Sequence, residues 1–237
     1  MCGRAYSTYT DEELQFRYFS KRPKQLPALP DSSGLKPNFN MCPTHDTPAI
    51  ITKDGERTLT MLRWGLVPHW ADDLKVGYKM INARSETISE KPSFRAAFKT
   101  RRAIIPLSGF IEWRRLVEIE NGKPKEIKTP FCIHLKDEPI MSVAGIWESW
   151  RSEKGTEVRT FSIITTEANS FMAKIHDRMP VILSRESEAV WLDPENDGLP
   201  TLQKLLKPCD SKLLSSFQIS TLINSPKNNR SEVLKAI

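Results

Sequence analysis

The chain has 237 residues, of which 39% are hydrophobic and 27% are charged. This is enough apolar material for one large core, so we expect a single domain over residues 1–237. The sequence shows no apolar run of membrane-spanning length and no charged-then-apolar leader. We therefore expect a cytoplasmic protein that neither enters a membrane nor is secreted. The net charge of +6 fits a polyanionic partner, but many enzymes without a nucleic-acid role share it.

The four cysteines do not form a metal-binding or disulfide pattern. Cys2, Cys42, Cys132 and Cys209 are far apart, and no CxxC pair occurs. This spacing argues against a structural zinc site and against a disulfide framework. We expect reduced thiols, and neither a metal nor a cofactor.

The first predicted element is a short helix. In TDEELQFRYF, Thr10 and Glu13 stand at capping-box spacing and apolar residues follow near one another, which predicts a helix over 10–19. The next stretch, KRPKQLPALPDSSGLKPNFNMCP, is rich in Pro, Ser and Gly but keeps apolar residues. We expect it to be an irregular surface segment that wraps the core.

The remainder of the chain predicts strands with helices between them. Six runs of β-branched and aromatic residues are bounded by Gly, Pro or charged clusters: TPAIIT, TLTMLRWG, RAIIPLSGFIEW, PFCIHLK, IMSVAGIWESW and RTFSIITT. Helical spacing or capping residues occur in SEKPSFRAAF, EANSFMAKI, SRESEAVWL and LPTLQKLL. These helices do not alternate regularly with the strands, so we predict an α+β fold with a mainly antiparallel sheet.

The opening MCGR places a cysteine directly behind the start methionine. A small residue at position 2 permits removal of Met1, after which Cys2 would carry a free α-amine beside its thiol, both partly deprotonated near neutral pH. Such an aminothiol condenses with an aldehyde to a Schiff base, and the thiol then closes a thiazolidine ring. An inert cysteine is the alternative.

The segment GFIEW places a carboxylate in an apolar strand. Period-2 alternation puts Glu112 on the same face as Phe110, which we expect to be at least partly buried. A carboxylate held there would have a raised pKa and could exchange protons near neutrality. The alternative is a glutamate on an edge strand with its face to water.

The segment KIHDRMP places His176 at a corner between a predicted helix and a strand that begins at Met179. Such corners commonly display functional groups, and Asp177 or Arg178 could bias the charge of the imidazole. The alternative is a surface histidine in a turn.

Two further segments place polar or aromatic groups beside apolar runs. In MINARSET, the Asn82 amide suits orienting a carbonyl and the Arg84 fork suits a phosphate, although ordinary turn chemistry also explains both. In RWGLVPHW, Trp64 and Trp70 flank a loop. They fit either core anchors or a platform and wedge for unstacked bases.

Nine segments resemble, in order, those of the SOS response-associated peptidase (SRAP) family: MCGR, FNMCP, RWGLVPHW, INARSET, PLSGFIEW, AGIW, FSIITTEAN, IHDRMPVIL and INSPKNN. The resemblance implies a bifurcated antiparallel sheet with a pseudo-barrel core and peripheral helices. It also implies a DNA-damage protein whose terminal cysteine captures the aldehyde of an abasic site in single-stranded DNA. The product would be a thiazolidine DNA-protein crosslink that shields the lesion from strand cleavage.

The resemblance also implies a role for individual positions. Four match the family's reactive residues: Cys2 as the nucleophile, Asn82 as the amide that positions the aldehyde, Glu112 as the acid-base residue near the amine, and His176 as the proton donor that opens the sugar. Five match residues that contact DNA: Arg4, Arg84 and Arg178 at phosphates, and Pro43 and Trp70 in loops that line the cleft. Cys42 stands where a small residue such as alanine is expected, which would place a second thiol near the site.

Two other functions remain open at this point. Cys2 could attack an amide, with Glu112 and His176 as base, in a thiol hydrolase whose only peptide substrate is its own Met1. The arginines and tryptophans could instead serve a non-catalytic binder of single-stranded or modified DNA. The resemblance favours a suicide crosslinker with autopeptidase and lyase-like activity in the SOS response. It implies a monomer of the bacterial type, associated with the nucleoid.

Overall fold

The computed structural model describes residues 2–19, 34–120, 123–196 and 198–237. Within these ranges the regular elements are, in chain order, β1 (Ala5–Ser7), α1 (Asp11–Tyr18), β2 (Asn38–Met41), β3 (Asp46–Lys53), β4 (Glu56–Trp64), β5 (Asn82–Arg84), α2 (Arg95–Thr100), β6 (Arg102–Leu107), β7 (Gly109–Glu120), β8 (Lys123–Leu135), β9 (Met141–Arg151), β10 (Glu157–Glu167), β11 (Arg178–Pro180), β12 (Ile182–Leu183), α3 (Arg185–Leu192), α4 (Leu199–Leu205) and β13 (Leu214–Gln218). Short 3₁₀ turns cover Leu74–Lys79, Met172–Lys174, Ser211–Leu213, Thr221–Asn224 and Ser231–Leu234.

Five strands close into a barrel. The pairing order β10-β4-β3-β6-β9 returns to its start, because β9 also pairs with β10 from Gly145 to Arg151. All of these pairs are antiparallel except β10 with β4. The mainly antiparallel α+β fold predicted from the sequence is therefore confirmed.

The barrel splits at two strands, which confirms the bifurcated sheet. Beyond its pairing with β10, β9 continues along β12 at Ser142 and Val143. In the same way, one edge of β10 passes from β4 to β5, and the other passes from β9 to β11. Because β5 and β11 both join β10 around Thr165, Arg84 and Arg178 are brought to the same end of that strand.

A second sheet, in the order β13-β8-β7-β1-β2, covers one side of the barrel. Barrel strands such as β6 and β10 lie between the helices on one side and the second sheet on the other, and they bury both of their faces. Ile104 and Ile164 pack in the cluster that includes the helices, whereas their neighbours Ile105 and Ile163 pack in the cluster that includes the second sheet. Burial on both faces explains why these segments read as nearly continuous apolar runs.

Two tryptophans anchor the core. Trp64 is 1% exposed and stacks on Phe161 with the ring centroids 6.1 Å apart, so it is a core residue rather than a platform for bases. Trp191 of α3 contacts Phe98 of α2 at the same centroid distance of 6.1 Å. Beside this pair, the buried Arg102 guanidinium donates to backbone carbonyls at the ends of both helices: those of Phe98, Lys99, Trp191, Asp193 and Asn196. These bonds satisfy acceptors that a helix end leaves open.

The capping box of the first helix is confirmed. The Thr10 hydroxyl accepts from the Glu13 N–H at 3.2 Å, and the Glu13 carboxylate accepts from the Thr10 N–H at 2.7 Å. Helices α3 and α4 and the strands β3, β4, β9 and β10 also form where the sequence predicts them, whereas β8 begins at Lys123, before the predicted run PFCIHLK. In the described part of the chain, no helix is long and apolar enough to cross a membrane.

Four sequence predictions need correction. The run RAIIPLSGFIEW is two strands, broken at Ser108. The predicted helix EANSFMAKI contains only the 3₁₀ turn Met172–Lys174, which the Asn169 carboxamide caps by accepting from the N–H groups of Phe171 and Met172. The predicted helix SEKPSFRAAF begins only at Arg95, after a series of turns. Finally, the stretch predicted to be irregular contains β2, while its residues 21–33 lie outside the described ranges.

Candidate active site

The start of the chain lies along the strand that carries Glu112. β1 pairs antiparallel with β7 through Ala5 opposite Phe110. One step further, the N–H of Ile111 donates to the Arg4 carbonyl at 2.9 Å. In this register, the residues before Arg4 run beside Glu112.

Cys2 is held in this position and fully buried. Its carbonyl oxygen accepts a hydrogen bond from Asn82 Nδ2 at 2.8 Å. Burial, and to a smaller extent the nearby Glu112 carboxylate, raise the pKa of the Cys2 thiol. The thiol is therefore neutral at physiological pH, and a partner must remove its proton before it reacts as a thiolate.

Asn82 stands at the point where β5 joins β10, opposite Ile163. Its Nδ2 is used by the Cys2 carbonyl. Its Oδ1 is buried and has no hydrogen-bond partner among the described residues. Buried polar atoms are nearly always satisfied in folded proteins, so this oxygen is available to a donor group of a ligand placed beside Cys2.

Glu112 is buried, at 3% exposure, as the alternation with Phe110 predicts. The alternative of an edge-strand glutamate facing water is wrong. At this point β7 lies between two strands, with Phe131 of β8 opposite Glu112 and the Arg4 segment on the other side. Burial raises the pKa of Glu112, and the His176 imidazole opposes that rise.

His176 lies between the 3₁₀ turn Met172–Lys174 and β11, at the corner expected from the sequence. Its Nε2 is 4.0 Å from Glu112 Oε2. Its Nδ1 accepts from the Arg178 backbone N–H at 3.0 Å and lies 2.9 Å from Asp177 Oδ1. The Arg178 bond assigns the proton of the neutral ring to Nε2, the nitrogen that faces Glu112. Protonation of Nδ1 would exchange this bond for an ion pair with Asp177.

The three arginines predicted to contact phosphates have different surroundings. Arg84 is exposed at the end of β5 and has no ion-pair partner in the described ranges. Arg4 is half-buried and donates to Asn40 Oδ1.

Arg178 is already engaged. Its guanidinium forms a bidentate pair with Glu86, at 3.0 Å for the longer bond, and donates to the Thr165 carbonyl at 2.8 Å. This pairing lowers the pKa of Glu86. A phosphate would have to displace the Glu86 carboxylate from Arg178. The contact between Arg178 and DNA stays a prediction.

Pro43 and Trp70 lie in loops, as predicted. Pro43 is half-buried in the turn after β2, next to Thr44, whose φ of 78° is a strained value for a β-branched residue. Trp70 is 55% exposed, in contrast to Trp64. Cys42 is buried, and its thiol donates to the Asn40 carbonyl at 3.3 Å. Neither the Pro43 loop nor Trp70 is tied to the four central residues by a hydrogen bond in the described ranges.

The candidate site does not coincide with the most prominent cavity. A cavity of about 550 Å³ lies elsewhere and is lined by residues that include Arg17, Ser142, Arg185, Lys204 and Cys209. None of Cys2, Asn82, Glu112 and His176 lines it. A large cavity shows only that a ligand has room to bind. A buried carboxylate that faces an imidazole and lies near a thiol indicates a reactive site. We therefore place the candidate site at the thiol.

One residue that sequence reasoning missed is Asn40. It is fully buried, and its side chain binds both Arg4 and backbone carbonyls near the end of the chain. The signal was an amide in the apolar run FNMC, where a buried polar group needs several partners.

The fold and the site define a class: a bifurcated antiparallel barrel in which a cysteine next to the first residue lies near a buried carboxylate, and an imidazole lies against that carboxylate. The chain belongs to the SOS response associated peptidase (SRAP) family, whose family model matches residues 1–226.

Two curated relatives match this chain over nearly their whole length. The chain is 44% identical to the abasic site processing protein YoaM of Bacillus subtilis, over all of this chain and 98% of that protein. It is 43% identical to the abasic site processing protein YoqW of the same species, over the full length of both. A crystal structure of a protein from Bacteroides thetaiotaomicron superposes with a TM-score of 0.84 at 31% identity and covers both chains completely.

Proposed function

We propose that this protein processes abasic sites in single-stranded DNA by forming a covalent thiazolidine adduct through Cys2, after removal of Met1. The observation that carries the proposal is the arrangement of three groups at Cys2. The buried Glu112 acts on the charge of its thiol, the half-satisfied Asn82 amide binds its carbonyl, and the His176 imidazole lies 4.0 Å from Glu112. The names of the two Bacillus subtilis relatives support the substrate. The protein acts as a monomer associated with the nucleoid.

The first step uses the α-amine. An abasic sugar is mostly a closed hemiacetal, so a proton donor to the ring oxygen is needed to release the aldehyde. His176 can supply it from Nε2, and such general acid-base help is worth on the order of a hundredfold to ten-thousandfold. The Cys2 nitrogen then adds to the aldehyde carbon, and loss of one water gives an imine.

Glu112 manages the proton of that amine. A cationic amine is not nucleophilic, and a fully ionised carboxylate beside it would hold it cationic. Burial raises the pKa of Glu112, so the carboxylate can accept the ammonium proton and return it to the departing hydroxyl. Because the pKa of the Cys2 thiol is also raised, the amine is the first nucleophile and the thiol the second.

The second step closes the ring. The sulfur adds to the imine carbon while the thiol proton passes to the nitrogen, so the adduct retains all atoms of the imine. Asn82 holds the Cys2 backbone through Nδ2, and its open Oδ1 can accept from a hydroxyl of the opened sugar. Phosphate contacts by arginines position a strand without reading its sequence, so the lesion rather than a base selects the substrate.

Intact mass spectrometry tests this function. Mixing the protein with a single-stranded oligonucleotide that contains one abasic site should give a heat-stable species. Its mass should equal protein without Met1 plus DNA minus one water, and it should form without borohydride. The same oligonucleotide with an intact base is the control and should give no adduct. Binding without an adduct would instead support the non-catalytic DNA binder.

A further inference from the structure

Asn40 uses its whole side chain to join two distant parts of the chain. It is fully buried. Its Nδ2 donates to the carbonyls of Ile223, Ser225 and Asn228 at 3.3, 2.9 and 2.8 Å. Its Oδ1 accepts from Arg4 Nη1 at 2.6 Å. Both polar atoms of the amide are therefore occupied: the nitrogen by carbonyls of the C-terminal segment, and the oxygen by a cation.

Arg4 is fixed on one side only. Its Nη1 donates to Asn40 and to the Ile223 carbonyl at 2.9 Å, and its guanidinium lies 5.9 Å from the centre of the Trp113 ring. In the described part of the chain, no carboxylate pairs with Arg4, and Nη2 has no hydrogen-bond partner. A guanidinium that is held in place but keeps its charge and donors is suited to a phosphate oxygen.

The segment bound by Asn40 turns its carbonyls inward. Since the carbonyls of Ser225 and Asn228 both point to Asn40, the residues between them are left on the outside, and Lys227 is exposed. The Phe39 N–H holds the far end of the turn through Asn229 Oδ1 at 2.7 Å. No ion-pair partner for Lys227 occurs among the described residues.

This arrangement borders the candidate active site. Arg4 is two residues from Cys2, and the register of Ala5 opposite Met41 brings Arg4 to the end of β2, where the Pro43 turn begins. A strand whose lesion lies at Cys2 would therefore carry its neighbouring phosphates past Arg4.

We propose that Asn40 is a positioning residue that joins Arg4 and the segment 223–228 into one phosphate-binding unit, with Lys227 as its outer cation. The proposal rests on the proposed function only in taking single-stranded DNA as the ligand. Asn40 itself contacts no DNA and acts through the two cations. Without the amide, Arg4 loses one anchor and the segment loses its central donor, so both cations become mobile.

The salt dependence of binding tests the unit, because each phosphate contact on a single strand contributes about 0.7 to the slope of log affinity against log salt. The ligand is an undamaged oligothymidylate, which forms no adduct. Arg4→Met and Lys227→Ala should each lower the slope by about 0.7. Asn40→Ala should also lower it, and should add nothing in a chain that already carries Arg4→Met and Lys227→Ala. A purely structural loss of stability would leave the slope unchanged.

Two further variants keep the test independent of folding. Lys227→Arg keeps the positive charge and should therefore show the wild-type slope, in contrast to Lys227→Ala. Lys154→Ala, at an exposed lysine in the turn between β9 and β10, is the matched control and should have no effect. An unchanged slope for Asn40→Ala or for Lys227→Ala would overturn the proposal while adducts with abasic DNA still form. If no adduct forms with abasic DNA but the slopes change as expected, the proposed function is wrong and the phosphate-binding unit is still supported.

Discussion

Cys2→Ser is expected to abolish the heat-stable adduct with abasic DNA while keeping an imine that borohydride can trap. The variant retains the α-amine, so the first condensation can still occur. The hydroxyl is a much weaker nucleophile than sulfur and does not close a stable ring. Intact mass spectrometry with and without borohydride separates the two products.

The matched control is Cys42→Ser, which removes the second thiol that the sequence places near the site. Cys42 is buried and its thiol bonds to the Asn40 carbonyl, so we expect a full yield of adduct. A stable adduct with Cys2→Ser that disappears only when Cys42 is also replaced would assign the sulfur chemistry to Cys42.

Glu112→Gln is expected to slow crosslinking by about a hundredfold to ten-thousandfold, because glutamine keeps the shape but cannot accept the ammonium proton. Burial raises the pKa of Glu112, and the carboxylate is active in its ionised form. The wild-type rate should therefore fall as the pH is lowered through that raised pKa, and this part of the profile should be missing in the variant. Single-turnover rates over a pH series measure both effects.

Glu153→Gln provides the comparison, since Glu153 is exposed in the turn after β9 and should leave rate and pH profile unchanged. A wild-type rate for Glu112→Gln would remove the carboxylate from the mechanism and leave Cys2 as the nucleophile.

The elements that the sequence predicts correctly are those with local signals. The first helix follows from Thr10 and Glu13, whose reciprocal hydrogen bonds need only four consecutive residues. The break at Ser108 has no such signal, because it depends on a tertiary contact. At Gly109 a side chain would meet the Ile133 carbonyl at 2.4 Å, so the glycine is required by a neighbouring strand and not by a local turn.

The reactive residues were identified individually from chemistry and as a group only from the family resemblance. Cys2 and Glu112 are 110 residues apart in the chain, and Glu112 and His176 are 64 apart. The pairing of β1 with β7 sets the start of the chain beside Glu112, and the packing of the second sheet on the barrel, where β11 pairs with β10, brings His176 to the same place. Spacing along a sequence does not encode such long-range registers, so burial of Glu112 could be predicted from its strand but its imidazole partner could not.

The environment of the cations was also beyond prediction. Arg178 and Glu86 are 92 residues apart and form a bidentate pair, whereas Arg84 in the same predicted group is exposed. Asn40 was passed over because its partners come from opposite ends of the chain, at Arg4 and at Ile223–Asn228. A buried amide with distant partners becomes visible only once the strands are assembled.

The most direct measurement of the central claim moves the amine away from the thiol. Inserting one alanine between Met1 and Cys2 leaves a small residue after the start methionine, so Met1 is still removed, and the thiol remains on a chain that differs by a single residue. Intact mass spectrometry after incubation with abasic single-stranded DNA should then show free protein and no heat-stable adduct. A wild-type yield of that adduct would contradict the account, since it would mean that the cysteine reacts without a neighbouring free amine.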